Sequence, residues 1–353
     1  MCEFEFEETG QRIDDIAPDL IEQAAGDGLQ AKQPTQVEQT MTQQNPVILL
    51  SRRLPQLFTA ALGQVGEVRV LRECSDDQLQ GARIYLASGI DRVSAELIQR
   101  LPASVGLIAN IATGIDNIDL EAAAARGIAV SNTPVVAEDT ADLAMALMLA
   151  TCRKLGFSER ALRDGNWGLG SGQLSSRVHG KTLGIVGMGA IGQAVARRAA
   201  GFAMNILYHG PNPKPDAEEA LGVRYSASLE ELLAQADIVS LNCPLTRDNH
   251  HLLNETTLAQ MKPGALLINT GRGPLVDEQA LVAALQSGHL GGAGLDVFEF
   301  EPRVTPELLQ LDNVTLLPHI GSATVECRSD MAMRAFANIQ HYLAQGKPID
   351  NCL

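Results

Sequence analysis

From Pro46 onward, short runs of Val, Ile and Leu alternate with longer stretches whose apolar positions recur every three or four residues. The first pattern suits strands buried on both faces, and the second suits amphipathic helices. Strands are predicted at Val47 to Leu50, Val68 to Leu71, Arg83 to Ala87, Val105 to Asn110 and Ile128 to Val130. Helices are predicted after Pro55, from Asp76, after Ser94 and from Asp119. Asn132-Thr-Pro134 breaks the alternation ahead of a long apolar helix, expected to be capped by Asp139 or Thr140, to reach about Leu155 and to cross between two domains. Residues 156–180 hold six glycines and the single tryptophan, Trp167, and read as a loop. Six more strands are predicted near 182–187, 204–208, 237–242, 265–270, 291–296 and 313–317, and a last helix over roughly Ala323 to Ala344 should return to the first domain.

This order predicts an α/β protein with parallel sheets and two domains. A doubly wound Rossmann domain is expected over residues 145–323, and a flavodoxin-like substrate domain over 46–144 plus 324–353. Residues 1–45 are rich in Glu, Asp and Gln and lack the apolar content to fill a core, so they are expected to be a disordered acidic extension with at most a short helix around Ile13 to Ala25. Met41 stands close to the first strand and is a candidate start of translation.

Charge narrows the partners. The net charge is −15, but residues 1–45 carry ten acids against two bases, leaving 32 acids against 25 bases in the remainder. An acidic body repels nucleic acid. The longest apolar stretch, around Ala141 to Ala150 and interrupted by Asp142, is too short for a membrane span, and the opening Glu3, Glu5, Glu7 and Glu8 are the wrong charge for a signal peptide, so a cytoplasmic protein is expected. The six cysteines are scattered without metal-ligand spacing, which argues against a disulfide framework or a zinc site.

The clearest chemical signal is Gly187-Met-Gly189-Ala-Ile-Gly192, between a predicted strand and a predicted helix. In such G-x-G-x-x-G turns the first glycine makes the bend, the second lets backbone approach a pyrophosphate, and the third lets helix pack on strand. The helix N-terminus then offers N–H donors to the anion. At the end of the next strand, where an acid would select NAD, stands His209. No carboxylate repels a 2′-phosphate there, and Lys214 follows nearby, which favours NADPH. The arginine expected of an NADP site is missing too, and NADH stays open.

Arg272, Glu301 and His319 each lie just past a predicted strand, and strand C-termini form the ligand crevice of such sheets. Singly, each has an ordinary structural reading: a surface ion pair, a loop acid, a satisfied histidine. Together they supply what reduction of a 2-oxo acid needs. Hydride addition places negative charge on the carbonyl oxygen, and a histidine suits proton delivery at neutral pH. A neighbouring Glu301 would orient that ring and favour its protonated form. Arg272 would grip the substrate carboxylate. Asp296 is either an acceptor for the cofactor carboxamide or a turn-stabilising acid.

From Pro46 to its end the chain resembles the D-isomer-specific 2-hydroxyacid dehydrogenases, and among them the glyoxylate/hydroxypyruvate reductases. The resemblance rests on Ser51-Arg-Arg-Leu-Pro55, Thr113-Gly-Ile-Asp-Asn-Ile-Asp119, Asn132-Thr-Pro134, the glycine motif, Asn269-Thr-Gly-Arg-Gly273, Asp296-Val-Phe-Glu-Phe-Glu-Pro302 and Pro318-His-Ile-Gly-Ser-Ala-Thr324, all in the family's order. It implies catalytic roles for Arg272, Glu301 and His319, with Glu301 rather than Glu299 as the family's match. It implies cofactor contacts at Gly187, Gly189, Ala190, Ile191, Gly192, His209, Cys243, Pro244, Asn249, Thr270, Gly271, Asp296 and Gly321. Thr113 and Gly114 would hold the substrate carboxylate from the other domain, alongside Arg272. NADP or NAD as cofactor, a small 2-oxo acid as substrate, homodimers and the absence of a metal are implied as well. An aromatic from the other subunit can border the site in this family, and Trp167 is a candidate. Two departures stand out: Asp142 replaces the usual Glu of the long helix, and the loop after Pro302 is short. The second bears on substrate choice, so 2-ketogluconate, 3-phosphoglycerate or phosphite remain alternatives. A non-enzymatic, dinucleotide-sensing corepressor is the alternative from another class.

Overall fold

The computed structural model describes residues 45–71 and 79–353. The acidic extension up to residue 44, Cys2, Cys74 and the start of the helix expected from Asp76 lie outside the described residues. The chain divides into two compact units, passing from one to the other at Thr133/Pro134 and returning at Met331/Ala332.

Among its described residues the smaller unit holds five strands: β1 (Val47–Leu50), β2 (Glu67–Val70), β3 (Ala82–Ser88), β4 (Leu107–Ile111) and β5 (Ala129–Ser131). They pair in parallel in the order β2-β1-β3-β4-β5, which is the flavodoxin-like winding. Successive residues point to opposite faces, so Val47 and Leu49 enter one core with Tyr85 and Ile108, while Ile48 and Leu50 enter the other with Ile84 and Leu107. Ala335 and Ile339 of the final helix, Val325–Gln345, fill that second core. Short helices Ala95–Arg100 and Leu120–Ala125 begin on Ser94 and Asp119, whose side chains accept from Leu97 N–H and Ala122 N–H.

The larger unit holds seven strands, β6 (Thr182–Val186), β7 (Asn205–His209), β8 (Arg224–Tyr225), β9 (Ile238–Leu241), β10 (Ala265–Asn269), β11 (Leu290–Leu295) and β12 (Val314–Leu316). All neighbours are parallel in the order β12-β11-β10-β9-β6-β7-β8. This is the doubly wound Rossmann order with one further strand at the β12 edge, and its direction of winding reverses between β6 and β9. Six strands were expected; β8 escaped because two residues show no alternation.

Helix Ala137–Cys152 belongs to the larger unit, where Ala141, Ala144, Met145 and Met148 join the core under Leu183, Ile185 and Ile268. Its first residue precedes the expected caps: Asp139 and Thr140 lie inside its first turns, and Val136 at the boundary makes no side-chain cap. Asp142 keeps its charge paired, to Arg198 at 2.6 Å. The expected loop over 156–180 instead contains helices Leu155–Arg163 and Trp167–Gly172, separated at Gly165 (φ +74°). Glycines lower helix propensity and hid both from the sequence pattern. Among the described residues no helix is long and apolar enough to cross a membrane.

Candidate active site

The winding reversal puts the ends of β6 and β9 side by side, and the glycine motif sits there. Gly187 has φ +98°, and a Cβ on it would lie 2.6 Å from Cys243 N, so the turn after β6 needs glycine both for its backbone and for its closeness to the chain leaving β9. A Cβ on Gly192 would meet Gly187 O at 2.1 Å, the close helix–strand contact that the third glycine permits. Gly189 differs: a Cβ there would meet nothing within 4 Å. Gly189 and Ala190 are exposed at the start of helix Ala190–Ala200, which has no side-chain cap, while Ile191 is partly buried. The space beside Gly189 and the uncapped amides together fit a phosphate group.

A second observation supports a dinucleotide along these strand ends. Asn242 Oδ1, just past β9, and Thr270 Oγ1, just past β10, are buried without hydrogen-bond partners. Buried polar atoms are normally satisfied, and a ligand laid across the strand ends would satisfy both. Asn242 was not among the expected contacts; a polar residue directly after a buried strand was the available signal. Near it, Cys243 has its thiol pushed up to about 11 by burial, so it is no nucleophile at neutral pH. Asn249 is engaged in its own loop, donating to Pro244 O at 2.8 Å and accepting from Thr246 N–H at 2.7 Å.

At the end of β7, His209 O accepts from Gly187 N–H at 2.9 Å, and its ring Nδ1 lies 3.0 Å from Ser226 O. Lys214 opens helix Pro215–Leu221, its N–H donating to Tyr208 Oη at 2.6 Å.

The ends of β10, β11 and β12 hold the remaining groups. His319 Nδ1 and Glu301 Oε2 are 2.8 Å apart, and Glu301 Oε1 accepts from Phe298 N–H at 2.9 Å. Burial pushes the Glu301 carboxyl up, but the bonds from His319 and Phe298 and the charges of His319 and Arg272 outweigh it and hold the group below its ordinary value. Glu299, two residues earlier, pairs instead with His251 at 2.8 Å.

Asp296 builds the turn that presents His319. Its backbone O accepts from His319 N–H at 2.8 Å, its Oδ1 from Ile320 N–H at 2.7 Å and its Oδ2 from Gly321 N–H at 2.8 Å. These bonds hold His319 at φ +56°, a left-handed conformation that non-glycine residues seldom adopt. Burial outweighs the two amide bonds and raises the Asp296 pKa. Of the two roles open to Asp296 in sequence, turn stabilisation is the one its contacts display.

Arg272 reaches the same edge through Gly273. A Cβ on Gly273 would lie 1.9 Å from Phe298 C and O, so only glycine lets the loop after β10 pass against the loop carrying Glu301. Asn269 shapes the preceding turn, accepting from Gly271 N–H and donating to Arg272 O, each at 3.0 Å. Arg272 Nη1 donates to Gly271 O at 2.8 Å.

Thr113 and Gly114 belong to the smaller unit, past β4. Their carbonyls accept from Asn132 Nδ2 at 2.7 Å and Asn110 Nδ2 at 2.9 Å, and Thr113 Oγ1 donates to Thr133 O at 3.0 Å. Asn110 and Asn132 thus shape this loop, a role not assigned from sequence.

A glycine cradle at the reversal of a Rossmann sheet, with a cation and a histidine–carboxylate pair past neighbouring strands on the same edge of that sheet, defines a dinucleotide-dependent oxidoreductase. The chain belongs to the D-isomer specific 2-hydroxyacid dehydrogenases, whose NAD binding domain matches residues 145–321. It is 48% identical over 261 residues to the glyoxylate reductase of Thermococcus litoralis, covering 70% of this chain and 77% of that one. It is 45% identical over 319 residues to glyoxylate/hydroxypyruvate reductase B of Klebsiella pneumoniae, covering 87% and 98%. The crystal structure of the NADPH-dependent glyoxylate/hydroxypyruvate reductase of Sinorhizobium meliloti, in complex with NADP and malonate, superposes with a TM-score of 0.81 at 35% identity, covering 87% and 96%.

Proposed function

We propose that this protein reduces glyoxylate and hydroxypyruvate to the corresponding 2-hydroxy acids, of D configuration where a stereocentre forms, using NADPH in preference to NADH. The His319–Glu301 pair at the dinucleotide edge carries the reading. When bound, the dihydronicotinamide supplies the hydride that reduces the keto carbon. Gly187, Gly189, Ala190, Ile191 and Gly192 would hold the pyrophosphate, with Asn242, Cys243, Pro244, Asn249, Thr270, Gly271, Asp296 and Gly321 along the rest of the dinucleotide.

Arg272 would bind the substrate carboxylate and so fix the direction of the carbonyl. His319 delivers a proton to the carbonyl oxygen as charge builds there. Glu301 orients the ring through Nδ1, which leaves Nε2 to face the substrate, and balances the imidazolium. Preference for NADPH follows from His209 at the end of β7, where an acid would repel a 2′-phosphate, and from Lys214 beyond it; the NADP-bound Sinorhizobium relative is in keeping with it. The enzyme works in the cytoplasm, where these dinucleotides circulate.

We also infer a homodimer. Leu155, Leu162, Trp167, Leu169 and Leu174 are all exposed within one short segment, Trp167 by 74% and Leu174 by 91%, and such a concentration of large exposed apolar side chains supports a surface covered by a second copy. Light scattering that returned a monomer would remove this part.

Initial rates with a panel of 2-oxo acids, each with NADPH and NADH, test the reading. Glyoxylate and hydroxypyruvate with NADPH should show the highest kcat/KM. A clear NADH preference removes the cofactor assignment, and NADPH binding without turnover of any 2-oxo acid favours a dinucleotide sensor.

A further inference from the structure

Outside the catalytic set, one cluster among the described residues gathers metal-ligating side chains: His250, His251 and Glu299 offer ring nitrogens and a carboxylate oxygen that all lie within 4.8 Å of one another. From these residues the geometry points to a binding site for a divalent transition metal ion of the zinc or nickel type.

The backbone explains how two consecutive histidines share one side. Successive side chains on an extended chain point opposite ways. His251 instead has φ +52°, and this left-handed residue turns the chain so that the two rings lie against each other, centroids 4.0 Å apart and tilted by 36°. His251 is anchored on both sides, its N–H donating to Pro274 O at 2.8 Å and its O accepting from Asn254 Nδ2 at 3.0 Å. The ring therefore sits on fixed backbone.

Glu299 is equally supported. Its Oε1 lies 2.8 Å from His251 Nε2, and its Oε2 accepts from Glu278 N–H at 3.4 Å. Its own N–H donates to Glu278 Oε1 at 2.7 Å, and Thr305 Oγ1 donates to Glu278 Oε2. Glu278 is 2% exposed, so a buried carboxylate holds the segment bearing the metal ligand, the kind of outer support that orients ligands in metal sites. His250 is exposed, which gives an ion a way in. The ion would sit between His251 Nε2 and Glu299 Oε1 in place of their direct contact, with His250 closing on it as third ligand and water as fourth. Two imidazoles and one carboxylate suit Zn²⁺ or Ni²⁺, whereas Mg²⁺ and Ca²⁺ seek oxygen ligands.

The inference is independent of the reductase reading, because binding alone tests it. Calorimetric titration of the metal-free, untagged full chain with Ni²⁺ at pH 7.5 should show one site per chain, and Mg²⁺ should show none. His250→Ala and Glu299→Gln should each weaken Ni²⁺ binding at least tenfold. His250→Gln, which keeps the bulk of the side chain, should do the same with the melting temperature of the metal-free protein unchanged. No stoichiometric binding by the wild-type chain, or binding by His250→Ala and His250→Gln as tight as wild type, overturns the assignment.

Discussion

Glu301 Oε2 lies 2.8 Å from His319 Nδ1, and this contact divides the work of the imidazole between its nitrogens. Nδ1 is committed to the carboxylate, and Nε2 is the nitrogen left for proton transfer. His319→Ala should therefore lower kcat for glyoxylate by about 10² to 10⁴, the usual worth of a general acid–base group, with NADPH affinity nearly unchanged. Steady-state kinetics alongside fluorescence titration of NADPH checks both halves; wild-type turnover in the variant removes His319 from the chemistry.

The same pair sets an acid limit. Glu301 is held below its ordinary value in the folded protein, chiefly because the bonds from His319 and Phe298 overcome burial. A lowered carboxylate contributes its stabilisation fully above the unfolded pKa and loses it as pH falls through the folded value. Because the pair works only with Glu301 ionised, the acid limb of the kcat/KM profile should also lie below the ordinary glutamate range. In Glu301→Gln the limb should disappear together with most of the rate. An acid limb at the same pH in Glu301→Gln would assign it to another group.

The three glycines of the cradle separate binding from folding. A Cβ at Gly189 meets nothing within 4 Å, while one at Gly192 meets Gly187 O at 2.1 Å. Gly189→Ala should leave the melting temperature of the cofactor-free protein within a degree or two while weakening NADPH binding at least tenfold. Gly192→Ala should lower stability by about 1–3 kcal/mol as an overpacked contact. Thermal melts and NADPH titrations distinguish them, and unaltered NADPH affinity in Gly189→Ala would contradict the cradle.

Arg272 tests substrate grip. Arg272→Ala should raise KM and lower kcat for 2-oxo acids, and Arg272→Lys should restore only part of the loss, since an ammonium cannot offer two parallel bonds to a carboxylate. An effect confined to the melting temperature would make Arg272 structural only.

Much of this architecture was legible because buried parallel strands write themselves as uninterrupted apolar runs. Val47–Leu50 and Ala265–Asn269 are buried along their whole length, and the sequence pattern marks both. What it does not mark are elements stabilised from outside. Arg224–Tyr225 is a strand only because it pairs with Leu207 and Tyr208. Helices Leu155–Arg163 and Trp167–Gly172 are broken up by glycine and bury little beyond Ala161. The residue types of the candidate site could be read from sequence, and their supports could not. Nothing in the sequence marks His319 for φ +56°, because the cause is Asp296 some twenty residues earlier. Likewise the need for glycine at 273 comes from the backbone of Phe298, a contact only the folded chain makes.

Hydroxypyruvate reduction with NADPH deuterated at the nicotinamide C4 tests hydride transfer most directly. With the label carried in turn on either face of the ring, mass spectrometry and chiral analysis of the product report both the transfer and its stereochemistry. The account predicts D-glycerate carrying one deuterium at C2 from one of the two labelled cofactors. Unlabelled glycerate from both, L-glycerate, or no glycerate at all would contradict it.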